Sequence, residues 1–215
     1  MRHPGTLIRE ALRPFFHKPA PSLQVDEDLL LQELRTTDID RLFQLIECNR
    51  EHLQQWLSWI QRIKTREHCR TFVNHVSYRN IFAGRWVYGV WHQDELVGLI
   101  DFNEGNKQLN QVSIGYWLGR AYEGKGIMTR AVRACLDYAF DEQHLHKVLV
   151  KCASDNFRSQ AIPIRLRFSW EGLHHDAGTI NGREVDMISY SMVYRDWARV
   201  RDLPVRAEER GEQDQ

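Results

Sequence analysis

The segment Gly115-Tyr116-Trp117-Leu118-Gly119-Arg120-Ala121-Tyr122-Glu123-Gly124-Lys125-Gly126-Ile127-Met128 constrains the fold more than any other part of the chain. Gln111–Leu118 reads as a strand. It runs into a glycine-rich turn, and the turn opens a stretch from Ile127 to Phe140 with Ile127, Ala131, Ala134, Cys135 and Tyr138 on one helical stripe. Glycines let a backbone approach a ligand closely, and the free N–H groups of a helix N-terminus point at an anion. The physics suits a diphosphate.

Three readings of this loop compete. A nucleoside-triphosphate loop needs G-x-x-x-x-G-K-[ST]; Gly119, Gly124 and Lys125 match, but Gly126 stands where a magnesium-binding hydroxyl belongs. The dinucleotide pattern G-x-G-x-x-G is absent, since Thr129 or Arg130 occupies the place of its third glycine. A plain strand-to-helix connection stays open on the loop alone.

The rest of the chain alternates strands and helices. Leu29–Leu34 reads as a strand, and Thr37 or Asp38 caps a helix carrying Ile39, Leu42, Phe43, Leu45 and Ile46. Helical stretches at Arg50–Ile63 and Glu67–Asn80 precede strands at Trp86–Trp91 and Leu96–Phe102, which are joined by His92-Gln93-Asp94-Glu95. A polar loop, Asn103–Asn110, leads to the strand before the glycines. Beyond them come a strand at Lys147–Cys152, a helix at Asn156–Leu166, and a hairpin of Ser169–Thr179 with Val185–Val193 around Asn181-Gly182. The order βαααβββαβαββ describes a mixed α/β domain at 29–194. Prolines 4, 14, 19 and 21 punctuate a tail at 1–28, where only Leu7–Phe16 could form a brief amphipathic turn. The run 195–215 reads as a charged tail with little to bury.

Bulk properties exclude some classes. The 215 residues, 42% hydrophobic, suffice for one core, and Lys+Arg 29 against Asp+Glu 29 argues against a nucleic-acid coat. Cys48, Cys69, Cys135 and Cys152 form no Cys-x-x-Cys pair, so reduced cysteines in a cytoplasmic protein are expected. No apolar run is long enough to cross a bilayer, and Glu10 and Arg13 interrupt any signal-like stretch. His174 and His175 have no third ligand at recognisable spacing, so no metal is expected.

Ala121-Tyr122-Glu123-Gly124-Lys125-Gly126 resembles the acetyl-CoA loop of the GNAT superfamily, [QR]-x-x-G-x-[GA], with Ala121 at its first position and Arg120 one residue early. "IGYWL…YEGKGIMTRAVRACLDYAF", "LFQLIECNREHLQQWLSWI", "DNFRSQAIPIRLRFSWEG" and "NGREVDMISYSM" resemble the ribosomal-protein serine and alanine N-acetyltransferase branch, over roughly Leu29 to Tyr194. The resemblance implies a GNAT fold: a mixed central sheet of about six to seven strands flanked by helices, with the acetyl-CoA loop after the fourth strand. It implies that backbone groups near Tyr116, Trp117 and Leu118 bond the pantetheine arm, and that amides around Glu123, Gly124, Lys125, Gly126 and Ile127 take the diphosphate. It places Asn156 at the cofactor amide, beside its bare reading as a helix cap, and Ser159 near the thioester sulfur. It also implies an acceptor groove flanked by Trp56 and Trp59, with Trp59 as the substrate-lining residue, and a homodimer.

Acetyl transfer to an amine must orient amine and thioester, stabilise the oxyanion, remove one proton and return one to the departing thiolate. Ser159 is the candidate donor to the thiolate; Pro163 stands where many relatives of this superfamily place a tyrosine. Serine-acetylating relatives carry a glutamate where this chain has Gly178. Strand alternation puts His174 and Asp176 on the face of Gly178, making them candidate bases, with Asp101 and Glu104 further ones. Arg167 replaces the family glycine before Phe168, which puts the helix ending there in question. The expected activity is direct acetyl transfer from acetyl-CoA to a primary amine, with a ribosomal protein N-terminus as the acceptor. A small-amine acetyltransferase and a non-catalytic acetyl-CoA sensor are the alternatives; CoA release separates the sensor from an enzyme. No membrane or direct nucleic-acid partner is expected.

Overall fold

The computed structural model describes residues 21–82 and 86–204. Leu7–Phe16 and the far end of the charged tail lie outside the described residues. Strands β1 (Leu23–Gln24) and β2 (Leu29–Glu33) pair antiparallel, with Leu29 and Leu31 turned inward. The stretch read as an N-terminal tail therefore contributes a strand. Its Asp26 and Asp28 clasp Arg130, Asp28 at 2.8 Å, which ties it to the helix after the glycine loop.

Helix α1 (Ile39–Cys48) buries Ile39, Leu42, Leu45 and Ile46, the stripe that the spacing predicts. Asp38 lies in a 3₁₀ turn ahead of it and accepts the Arg35 N–H at 2.8 Å rather than capping α1. The expected helix over Arg50–Ile63 is broken: α2 (Arg50–Leu53) is a single turn, followed by a 3₁₀ turn at Ser58–Arg62. Arg50 folds its guanidinium onto the carbonyls of Ile60, at 2.9 Å, and Ile63. The bent path brings Leu53, Ile60 and Ile63 all into the core, so tertiary contacts override local propensity. Helix α3 (Arg66–Phe82) follows.

β3 (Val87–His92) and β4 (Glu95–Asn106) join through Gln93-Asp94, both at positive φ (52° and 63°), the conformation that matches strand twist in two-residue hairpins. β4 runs past Phe102 with an irregularity between Asn103 and Asn106, and so takes up half of the expected loop. After β5 (Gln111–Leu118) and the glycine loop comes α4 (Ile127–Asp137), which ends in a wider π turn, Tyr138–Glu142. β6 (Lys147–Ala153), α5 (Phe157–Arg165) and the hairpin β7 (Ser169–Ile180) and β8 (Arg183–Val193) complete the order. Helix α6 (Tyr194–Val200) stands where the sequence reads a charged tail. It docks through Trp197, which is 1% exposed and donates its indole N–H to Asp137 at 3.0 Å.

The eight strands form one sheet in the order β1-β2-β3-β4-β5-β6-β8-β7, one strand beyond the expected range because of β1. All neighbours pair antiparallel except β5 with β6. On one face Ile100, Phe102, Val112 and Ile114 pack with Ile127, Ala131 and Cys135 of α4. On the other face Leu99 packs with Leu42 and Ile46 of α1 and Val73 of α3. Burying each such side chain stabilises by about 1.5–3 kcal/mol. Helix-flanked on both faces, with one parallel pair at its centre, the sheet is the mixed α/β architecture that the element order implies.

The ending of α5 is intact despite Arg167. The Phe168 N–H bonds the Pro163 carbonyl at 2.9 Å and the Arg167 N–H bonds that of Ile164 at 3.1 Å, the paired bonds of a Schellman motif. Arg167 takes the left-handed conformation, φ 64°, that glycine usually supplies.

Candidate active site

Strands β5 and β6 stay hydrogen-bonded only where Gln111, Val112 and Ser113 face Lys147, Val148 and Leu149. Beyond Ser113 they part, leaving a wedge-shaped cleft between Ile114–Leu118 and Val150–Ala153. The end of β5 from Tyr116 to Leu118 forms one wall; the Trp117 backbone groups face Leu99 of β4, and those of Tyr116 and Leu118 are the ones turned away from it. The glycine loop closes one lip at the carboxyl ends of these strands, and the N-terminus of α5 closes the other.

The loop is held from behind. The Arg120 N–H donates to the side chain of Asn49, the residue that ends α1, at 2.8 Å, and the Tyr122 hydroxyl donates to Glu95 of β4 at 2.7 Å. Gly124 and Gly126 have φ of 72° and 74°, and a Cβ added at either would meet nothing within 4 Å. The left-handed backbone explains the glycines, and the open space lies where an anion would approach the first-turn amides of α4. Lys125 lies with its ammonium 5.4 Å from the centre of the Tyr122 ring. These features fit a coenzyme A diphosphate.

On the α5 side, Asn156 caps the helix, its side-chain oxygen accepting the Ser159 N–H at 3.1 Å. The Tyr116 hydroxyl reaches across the cleft to donate to the Ser159 carbonyl at 2.8 Å, and burial pushes the Tyr116 pKa well above its ordinary value. Cys152 of β6 lies near enough for the Ser159 side chain to influence its thiol. Burial pushes that thiol up to about 11, only partly offset by the serine.

The face of the sheet shared by Leu99, Asp101, Gly115 and Trp117 carries an aromatic group. Trp59 stacks on Phe72 of α3, with ring centres 4.9 Å apart, and tilts toward Trp117 at 6.5 Å. The bent 3₁₀ segment, not a helix, puts Trp59 there. Asp101 and Asn103 are hydrogen-bonded at 3.0 Å beside Gly115, whose Cβ would come within 2.6 Å of an Asp101 oxygen. The tip of the β7–β8 hairpin docks on the same segment: the Asn181 N–H donates to the Ser58 hydroxyl at 2.9 Å, and its amide group to the Gln54 carbonyl at 2.7 Å.

The hairpin corrects the alternation argument for Asp176. His174 faces Met187 and Gly178 faces Val185, so His175, Asp176 and Ala177 all stand opposite Asp186 in a bulge. Asp176 has φ 50°, its N–H bonds Asp186 at 2.9 Å, and its carboxylate is exposed. That bond and His175, at 3.0 Å, hold the Asp186 carboxyl below the usual range. His174 keeps the face of Gly178, but its ring leans back toward Gly172, lying 3.9 Å from where a Cβ would stand there. A Cβ at Gly178 would meet the Met187 sulfur at 2.8 Å. Methionine thus fills the place of the family glutamate's stem. The side chain of Glu104 lies outside the described residues.

Residues 28–169 match the acetyltransferase (GNAT) domain model. A Bacillus subtilis (strain 168) protein provisionally named a ribosomal N-acetyltransferase is 30% identical, over 81% of this chain and 96% of its own. The Escherichia coli (strain K12) ribosomal-protein-serine acetyltransferase is 29% identical, over 80% of this chain and 96% of its own. Among solved structures, RimL, a ribosomal L7/L12 alpha-N-protein acetyltransferase in complex with coenzyme A and disulfide-bonded to it through a cysteine, superposes with a TM-score of 0.76 at 28% identity. That match covers 82% of this chain and 99% of RimL. With a parted parallel pair, an anion-ready glycine loop and these relatives, the chain belongs to the GNAT family and is an N-acetyltransferase with acetyl-CoA as its acetyl donor.

Proposed function

We propose that this enzyme acetylates the N-terminal α-amine of a protein, by direct transfer from acetyl-CoA in a ternary complex. A ribosomal protein is the acceptor, as in the relatives' names, which puts the reaction in the cytoplasm. The observation that carries this reading is the Met187 sulfur packed where a Gly178 side chain would stand. An α-amine, with a pKa near about 8, is substantially neutral at cellular pH and asks little of a base; a lysine-like amine near about 10.4 asks much more.

In this reading the Tyr116–Leu118 backbone and Asn156 hold the pantetheine arm, and the amides of Glu123–Ile127 hold the diphosphate. Ser159 returns a proton to the departing thiolate. Trp59 lines the acceptor groove beside Trp117. His174, which keeps the face of Gly178, orders a water that receives the amine's proton; Asp176, drawn into the bulge, is the second candidate for that water.

Release of CoA, measured with peptides beginning in Ser or Ala against a panel of small amines, tests this. Turnover confined to peptides, with kcat/KM rising through the pKa of the amine and reduced at least about 100-fold in Ser159→Ala, is the expected result. Turnover on small amines alone would overturn the acceptor. Full activity in Ser159→Ala would overturn the role of Ser159.

A further inference from the structure

The two lips of the cleft are joined by an ion pair. Arg158, in the first turn of α5, donates to one carboxylate oxygen of Glu123, in the glycine loop 35 residues away. The other oxygen lies 3.0 Å from the Nε2 of His52 of α2. The Arg158 side chain is 71% exposed while that of Glu123 is 24% exposed, so the guanidinium lies on the outside and reaches inward. Glu123 sits directly before the left-handed Gly124 and two residues before Lys125, inside the cradle assigned to the diphosphate. A carboxylate there repels an incoming phosphate unless a cation compensates it.

We propose that Arg158 is an exchangeable phosphate ligand: paired with Glu123 in the free enzyme, it turns to a phosphate of the coenzyme A nucleotide on loading, while His52 stays on Glu123. This rests on the cofactor reading above. The geometry favours exchange over a fixed strut for two reasons. An exposed surface pair is weak, whereas guanidinium–phosphate bonding is charge-assisted on both sides and bidentate. In addition, Arg158 is placed where the nucleotide must leave the cleft, past the carboxyl ends of β5 and β6.

Calorimetric titration with CoA and with dephospho-CoA, on the wild type, Arg158→Ala, Glu123→Gln and the double variant, tests the exchange. Arg158→Ala weakens CoA about tenfold. Glu123→Gln, which frees the arginine, tightens it, and the loss on removing Arg158 is larger in that background. In turnover, Arg158→Ala raises the KM for acetyl-CoA and leaves kcat at saturation unchanged. An equal loss for dephospho-CoA assigns the diphosphate as the partner, and a loss for CoA alone assigns the 3′-phosphate. An unchanged or tighter CoA affinity in Arg158→Ala, or a weaker one in Glu123→Gln, overturns the proposal. Failure of the wild type to bind CoA would instead overturn the cofactor reading.

Discussion

Gly98→Ala is the sharpest test of how the sheet builds the cleft. Gly98 of β4 lies opposite Leu118 of β5, and a Cβ there would come within 2.2 Å of the Trp117 carbonyl oxygen and 3.0 Å of the Leu118 Cα. The obstacle is backbone, which cannot swing away as a side chain would. Relief to a tolerable 3.0 Å requires the strands to part by at least 0.8 Å, the difference between 3.0 and 2.2 Å. The Gly119 N–H to Val97 carbonyl bond, now 2.8 Å, would stretch past useful length. Losing one or two such bonds costs about 1 kcal/mol each, and overpacking adds about 1–3 kcal/mol, giving roughly 2–5 kcal/mol.

For a domain of this size that lowers the Tm by about 4–20 °C in thermal unfolding followed by circular dichroism. The damage falls on Trp117 and Leu118, the wall assigned to the pantetheine arm, so the KM for acetyl-CoA rises more than tenfold at temperatures where the variant is folded. Gly182→Ala is the control. That Cβ meets nothing within 4 Å, and only its positive φ of 79° opposes the change, at about 1 kcal/mol. A Gly98→Ala protein that melts within 2 °C of wild type (about 1 kcal/mol or less) and keeps its KM would refute the reasoning.

Arg167→Gly relieves a left-handed arginine worth about 1–2 kcal/mol but restores about 0.5–1 kcal/mol of unfolded-state freedom, so the Tm holds or rises, by up to about 6 °C. A fall in Tm would show that Arg167 earns its place through contacts such as that with the Pro204 carbonyl at 3.4 Å. Glu171→Gln probes pH. Lys147, at 2.5 Å, and Ser191 hold the Glu171 carboxyl below its ordinary 4.5. A depressed carboxyl contributes stability that is full above the unfolded value and is lost as pH falls through the folded one. The wild type therefore exceeds Glu171→Gln in Tm at pH 7, and the two converge once the pH drops below the depressed value. A difference that persists or grows in acid would contradict that assignment.

Much of this architecture was legible because local and tertiary preferences agree. The stripe of Ile39, Leu42, Leu45 and Ile46, the Asn181-Gly182 turn and the glycine loop each name their own structure. The reading failed where long-range contacts decide. Arg50–Ile63 has helical spacing, but Arg50 bonds to the carbonyls of Ile60 and Ile63 bend the segment, and no periodicity reports on a guanidinium. Trp197 was hidden among charges because one buried indole leaves no pattern, though it anchors α6. The β7 bulge escaped for a related reason. Alternation assumes an unbroken ladder, while extra residues in 175–177 are visible only against Asp186 of the partner strand.

The departures from the family pattern divide by whether backbone or side chain does the work. Ala121 falls in a 3₁₀ turn, Arg120–Tyr122, whose position is set by the Arg120 N–H on Asn49 and by Tyr122 on Glu95, so its identity leaves the loop unchanged. Arg167 replaces a glycine, yet both Schellman bonds form, because they need only backbone groups and a tolerated φ. Gly178 is different in kind. A glutamate acts through its carboxylate, and here the space for its stem holds Met187 while the nearest acidic neighbour on β7 is drawn into a bulge by Asp186. A site altered at that one side chain, with its cofactor cleft kept, narrows the chemistry to acceptors that need little help losing a proton. The protein α-amine proposed above is such an acceptor, with a pKa of about 8.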